Sequence, residues 1–302
     1  MNKNTHEGLF FAAGAFIMWG LLPIYWKALK AVPSIELLCN RVVWSMFFVG
    51  ALLSMKKRWP EVRTAFCDTK GKLMLCASSC LIGCNWLLYI WAVNNGHVVD
   101  TSMGYYMTPF MNALLGFIFM NERLNRLQVA AIALAACGVA WSIFDYGRIP
   151  AVALTLAVSF ALYGLVRKMM KVESLPGLFI ETAVLFPISA GYIIWLAATG
   201  DVSYTRVGLL ENLLLLGAGA ATSTPLIFFA HGARRLRLAT LGMMQYIAPT
   251  LALLIGVLMY GEPFGETRFI TFAFIWAGII IYVADGLRSN VGLLKYIHRN
   301  RT

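Results

Sequence analysis

Ten long apolar stretches follow one another along this chain, separated by short polar segments. Measured against the roughly 20 residues that cross a bilayer, they fall at 8–29, 35–55, 73–93, 98–120, 127–144, 150–169, 177–199, 211–231, 238–260 and 268–285. The pattern predicts an all-α integral membrane protein with ten transmembrane helices. Composition agrees, since 60% of the 302 residues are hydrophobic and 13% are charged, about half the charge of a soluble domain. The first stretch lacks a strong basic leader and a small-residue cleavage site, which predicts a retained helix rather than a signal peptide.

A net charge of +11 raises the question of a nucleic-acid partner, and the placement of the basic residues answers it. With ten spans and a cytoplasmic N-terminus, only Lys27, Lys30, Arg41, Arg148, Arg206 and Arg268 of the 25 basic residues fall outside. That bias is the positive-inside rule, and it predicts cytoplasmic termini with residues 286–302 as a basic tail. The expected partners are the lipid bilayer and a small-molecule substrate, not nucleic acid. The sequence leaves open whether two copies pair as a homodimer.

The chain also repeats itself. At an offset of 140, Tyr106 meets Tyr246, Pro109 meets Pro249, Gly116 meets Gly256, Glu122 meets Glu262 and Gly138 meets Gly278. At 144, Phe16 meets Phe160, Trp19 meets Tyr163 and Gly20 meets Gly164, and Glu36 meets Glu181 once one residue is inserted. Two units follow, 1–146 and 147–285, each of five spans. Five is odd, so the second copy enters the membrane from the opposite side. The tight loop Asn94, Asn95, His97 aligns with Arg234, Arg235, Arg237; the first is expected outside, where positive charge is disfavoured, and the second inside, where it is favoured. The polarity of this loop is therefore a turn signal rather than a catalytic one.

Tyr105, Pro109, Asn112 and Gly116 lie on one face of the fourth span, and Gln245, Pro249, Ala252 and Gly256 repeat that face in the ninth. A proline inside a helix frees a backbone carbonyl, which suits a bundle interior or a wet cavity better than lipid. Inverted repeats with such helices are the pattern of secondary transporters, whose site lies at the repeat interface. Candidate substrate contacts are Trp19, Arg41, Asn85, Tyr89, Tyr105, Asn112, Tyr163 and Gln245. Arg41 is the sharpest of them: a lone arginine deep in a span costs about 3 kcal/mol on insertion scales, so a carboxylate or an anionic part of the substrate is its expected partner. Glu36 and Glu181 begin second helices, where the helix dipole explains a carboxylate and proton coupling is the alternative. Glu122 and Glu262 read as helix-end caps.

Cys76, Cys80 and Cys84 share one helical face. A soft-metal path would need partners from a second motif, so a stripe of small residues between helices is expected and no metal. His6, His97, His231 and His298 stand at no ligand spacing, and neither GxxxxGK[ST] nor HExxH occurs. No cofactor and no catalytic residue is expected. The competing reading is a membrane-embedded enzyme acting on a lipid or isoprenoid, which would need clustered acids or histidines.

The strings NWLLYIWAVN at 85–94, ALYGLVRK at 161–168 and LRLATLGMMQYIAPTL at 236–251 resemble the RarD, or chloramphenicol-sensitive, proteins. These are a branch of the EamA group in the drug/metabolite transporter superfamily, and the resemblance runs over residues 8 to 285. It implies ten helices in two inverted five-helix repeats in the bacterial inner membrane. It further implies a central cavity formed by the first four helices of each half, the fifth packing outside. Where the family often ends its fourth helix in Gly-Glu-Arg, this chain has Asn121-Glu122-Arg123. The resemblance implies export of a small amphiphilic metabolite or drug-like solute and names no substrate.

Overall fold

A computed structural model describes residues 3–65, 69–120, 124–147, 149–170, 172–233, 235 and 244–299. Every regular element among them is helical. In chain order these are α1 (Lys3–Ala28), α2 (Ser34–Met55), α3 (Trp59–Ala65), α4 (Thr69–Asn94), α5 (Val98–Met120) and α6 (Arg126–Tyr146). Then come α7 (Ala151–Met169), α8 (Ser174–Thr199), a 3-10 turn over Ser203–Thr205, α9 (Leu209–Ala233) and α10 (Ile247–Leu254). α10 runs into a π turn over Ile255–Met259, and α11 (Glu266–Arg299) follows. Asn121, Glu122, Arg123, Lys171, Arg234, Arg237 and the segment 238–243 that opens the expected ninth span lie outside the described residues.

Among the described residues seven helices, α1, α2, α4, α6, α8, α9 and α11, are long and apolar enough to cross a membrane. α7 and α10 with its π turn are shorter apolar helices. α5 has the length, 23 residues, but Asp100, Thr101, Ser102, the tyrosine pair and Asn112 dilute its apolar character. Large apolar side chains stand outward: Phe144 is 84% exposed, Leu258 77% and Ile188 76%. Such a surface would associate in water and is ordinary against lipid tails. The chain is a multi-pass membrane protein.

Local chemistry sets the breaks. Pro33 stands at the N-cap of α2, where its missing N–H goes unneeded. α6 opens on a capping box: the Asn125 side chain accepts from the Gln128 N–H, and the Gln128 side chain accepts from the Asn125 N–H. It ends on Gly147 at φ 64°, a left-handed conformation that a residue with a Cβ adopts at a cost.

The helices of each half pack chiefly on the other half. α1 lies on α9 and α10, as α7 lies on α4 and α5. α2 touches α8 and α9, as α8 touches α2 and α4; α5 meets α10 and α6 meets α11. Exchanging α1, α2, α4, α5, α6 for α7, α8, α9, α10, α11 leaves these pairings unchanged. Two glycines carry the correspondence to single atoms. A Cβ on Gly138 would come 2.9 Å from the Thr271 carbonyl, and one on Gly278 would come 2.8 Å from the Ala131 carbonyl. α6 and α11 are the least buried of the seven long apolar helices, a peripheral pair.

Candidate functional site

Arg41 stands seven residues past Ser34 in α2, about 10 Å along the helix axis, and is 5% exposed. Its guanidinium carbon lies 4.0 Å from the centroid of the Trp86 ring in α4 and 5.1 Å from that of Trp26 in α1. No carboxylate pairs with it among the described residues, and its Nε and Nη1 are buried with no hydrogen-bond partner. The sequence expectation was a carboxylate or an anionic part of the substrate; from the protein itself the guanidinium receives two indole rings. Each desolvated cation–π contact is worth about 2 kcal/mol, whereas each unmet buried N–H costs about 1–3 kcal/mol, more when charged. The guanidinium is held in place without being satisfied. Trp26 Nε1 and Ser45 Oγ, the latter one turn on from Arg41 along α2, are also buried and unpartnered.

An aromatic wall continues from this point. Tyr89 on α4 packs edge-on to Tyr105 on α5 at 5.7 Å, Tyr105 edge-on to Phe160 on α7 at 5.9 Å, and Phe160 against Tyr163 at 5.9 Å. Asn85 Nδ2 donates to the Leu156 carbonyl at 3.2 Å and to Ser159 Oγ at 2.9 Å, pinning α4 to α7, while its Oδ1 accepts from the Tyr105 hydroxyl at 3.4 Å. Arg41, Asn85, Tyr89, Tyr105 and Tyr163 thus belong to one connected group. Trp19 packs against the cluster that holds Trp26 and Tyr89 and also against a second one, its ring 5.5 Å from Phe16 and 5.6 Å from Phe229. Asn112 is exposed, with Oδ1 3.7 Å from where a Cβ on Gly164 would stand, and Gln245 is half-buried just before α10.

The carboxylates divide by role. Glu36 is buried, and its two oxygens accept from the Ser203 N–H at 2.8 Å and the Ser203 hydroxyl at 2.5 Å, fixing the 3-10 turn to α2. Glu181, equally buried, accepts from Ser78 Oγ at 2.9 Å and the Tyr163 hydroxyl at 3.1 Å, with Arg167 Nη1 at 3.6 Å. Glu262, in the segment between the π turn and α11, caps a helix distant in the chain: its oxygens accept from the Val98 and Val99 N–H groups, both at 2.8 Å, at the start of α5.

His97 is structural. Its Nδ1 lies 2.9 Å from Asp100 Oδ2 and its ring stacks on Trp91, while Asp100 Oδ1 accepts from Arg268 at 3.1 Å, tying α5 to α11. Outside the spans, Glu61 and then Glu173 hold the Arg58 guanidinium well above its usual pKa, linking the loop after α2 to the one before α8. Cys76, Cys80 and Cys84 are exposed along α4, so they line no close helix crossing among the described residues.

The proline of the second repeat face has a polar neighbour. Ser102 Oγ donates to the Pro249 carbonyl at 2.6 Å, and Tyr106 shares a 2.5 Å hydrogen bond with Thr250. Tyr106 stacks on Tyr246, its own counterpart at offset 140, with centroids 6.0 Å apart. Trp26, Ser45 and Ser203 went unmarked in the sequence, because nothing in their spacing points to an orphan donor or a distant carboxylate.

Apolar outer faces around buried polar and aromatic groups are those of a multi-pass membrane protein, and comparison with known proteins says which class. Residues 6–144 match the EamA-like transporter family. The chain is 45% identical over 285 residues to Protein RarD of Salmonella typhi, covering 94% of this chain and 97% of that one. It is 44% identical over 289 residues to an uncharacterized transporter of Vibrio cholerae, covering 95% of each. A solved crystal structure shares its fold, with a TM-score of 0.59 at 19% identity over 91% of this chain and 96% of the other. The chain belongs to the RarD branch of the EamA family.

Proposed function

We propose that this protein is a secondary transporter that exports a small amphiphilic metabolite or drug-like solute across the bacterial inner membrane. In this reading it has ten transmembrane helices, in two inverted five-helix repeats over 1–146 and 147–285, with both termini and the tail 286–302 cytoplasmic. The supporting observation is the interlocking of the halves. Their packing pairs survive exchange of one half for the other, and Tyr106 touches its own counterpart Tyr246, as residues on a two-fold axis do. Two such halves rocking about a shared interface give alternating access to a site between them.

Within that interface Arg41, Asn85, Tyr89, Tyr105 and Tyr163 form the substrate wall, and Trp19, Asn112 and Gln245 complete the path. Of the coupling candidates Glu181 is the stronger. Both Glu36 oxygens are taken by a backbone-fixing serine, whereas Glu181 is held by the side chains of Ser78, Tyr163 and Arg167, which can rearrange as it takes up or releases a proton. The test is flux. Purified protein in proteoliposomes, given labelled metabolites and amphiphiles with and without a pH gradient, should move at least one solute chemically unaltered. Glu181→Gln should uncouple that flux from the gradient more than Glu36→Gln does. Solutes that emerge chemically altered, or a full set that never crosses in correctly inserted protein, would overturn the reading.

A further inference from the structure

The unmet groups around Arg41 have one chemistry in common. Arg41 Nε and Nη1, Trp26 Nε1 and Ser45 Oγ are all buried, all lack a partner, and all can donate a hydrogen bond. The guanidinium carbon lies over two indole rings, which accept no conventional hydrogen bond, so its N–H donors are left to another partner. A planar oxyanion approaching in the guanidinium plane fits this arrangement. The ion pairing points the same way. Among the described residues the other arginine of the bundle interior, Arg167, already faces Glu181, whereas the Arg41 guanidinium has two buried N–H groups with no partner, which an anionic ligand would meet. The wall running from Trp86 through Tyr89 and Tyr105 supplies aromatic surface for an apolar body attached to it.

We infer that the Arg41 cage binds the carboxylate of a small organic acid carrying an aromatic or similarly flat apolar body. This rests on the transporter reading of the same interface and narrows its substrate class to monocarboxylates. A cation is repelled by the guanidinium, and the carbonyl of a neutral amide offers its N–H groups a weaker acceptor than a carboxylate does.

The test compares acids with their isosteric amides on wild-type protein in detergent free of anionic lipid. Benzoate and benzamide, phenylacetate and phenylacetamide, and 2-naphthoate and its amide are titrated, with intrinsic tryptophan fluorescence and thermal stability as readouts. Trp26 and Trp86 report directly on the site. At least one acid should bind saturably and its amide should not compete. Arg41→Gln should weaken that acid on the order of thirtyfold or more, as expected when one partner of a buried charge pair is removed. Arg41→Lys should recover only part of it, since the planar fork is lost. Amides binding as well as acids throughout the series would overturn the inference, and that comparison needs no variant to fold. So would acid binding unchanged in Arg41→Gln, or displacement of the acid by added phosphatidylglycerol, which would assign the cage to a lipid headgroup. Solute flux indifferent to Arg41 sinks this inference alone. Arg41-dependent acid binding without flux of any solute sinks the transporter reading alone.

Discussion

Replacing Glu262 should destabilise the protein far more than its place in a connecting segment suggests. Its carboxylate is 7% exposed and accepts from two backbone N–H groups at 2.8 Å. Both donors are first-turn groups of α5 with no partner inside their own helix. A hydrogen bond to a charged acceptor contributes about 1.5–3 kcal/mol, and the helix dipole adds roughly 0.3–1 kcal/mol for an anion at that end. Glu262→Ala removes both bonds at once, and limited entry of water softens the loss to about 3–5 kcal/mol. Glu262→Gln keeps one acceptor but turns an NH2 group toward the second N–H, so about 1.5–3 kcal/mol is expected. Unfolding of purified protein in mixed micelles with rising dodecyl sulfate, followed by far-ultraviolet circular dichroism, measures these differences. Glu266→Ala, at an exposed carboxylate in the first turn of α11, is the control and should stay within about 1 kcal/mol, the dipole contribution alone. A Glu262→Ala protein as stable as that control would refute the cross-half cap.

Further outcomes follow from the same geometry. Ser203→Ala, which removes the hydroxyl on Glu36, should cost about 1–3 kcal/mol in the same assay, and an unchanged midpoint would contradict the buried bond. Gly138→Val and Gly278→Val, whose Cβ atoms would press on the Thr271 and Ala131 carbonyls, should destabilise by similar amounts, about 1–3 kcal/mol each. A large effect in one and none in the other would break their equivalence. Reporter fusions after Leu29 and after Thr302 should locate on opposite sides of the membrane, the second in the cytoplasm; equal locations would remove the inverted repeat.

The helices were legible in the sequence because apolar runs of this length have few alternatives. The expected span 98–120 coincides with α5, and 35–55 differs from α2 by one residue. What composition hid was local and polar. The short helix α3 sits inside a basic segment, and the π turn after α10 interrupts a run that reads as uninterrupted helix. At the candidate site, the importance of Arg41 could be read from the price of a charge in a span, but its neighbours could not. Trp26 carries no mark that separates it from other tryptophans, and nothing in the sequence places Trp86 against Arg41. Glu262 and Val98 meet only because two helices far apart in the chain pack together, a distance over which periodicity carries no information.

The interlocked halves also bear on how the protein is made. A ribosome working at roughly 5–20 residues per second leaves the first half in the bilayer for on the order of ten seconds before α9 and α10 emerge. The two indoles that hold Arg41 both belong to that first half, so its guanidinium is sheltered during the wait. Glu36 and the first turn of α5 are not, because Ser203 and Glu262 come from the later half. The nascent intermediate therefore carries one acid and two backbone donors whose partners have yet to be made.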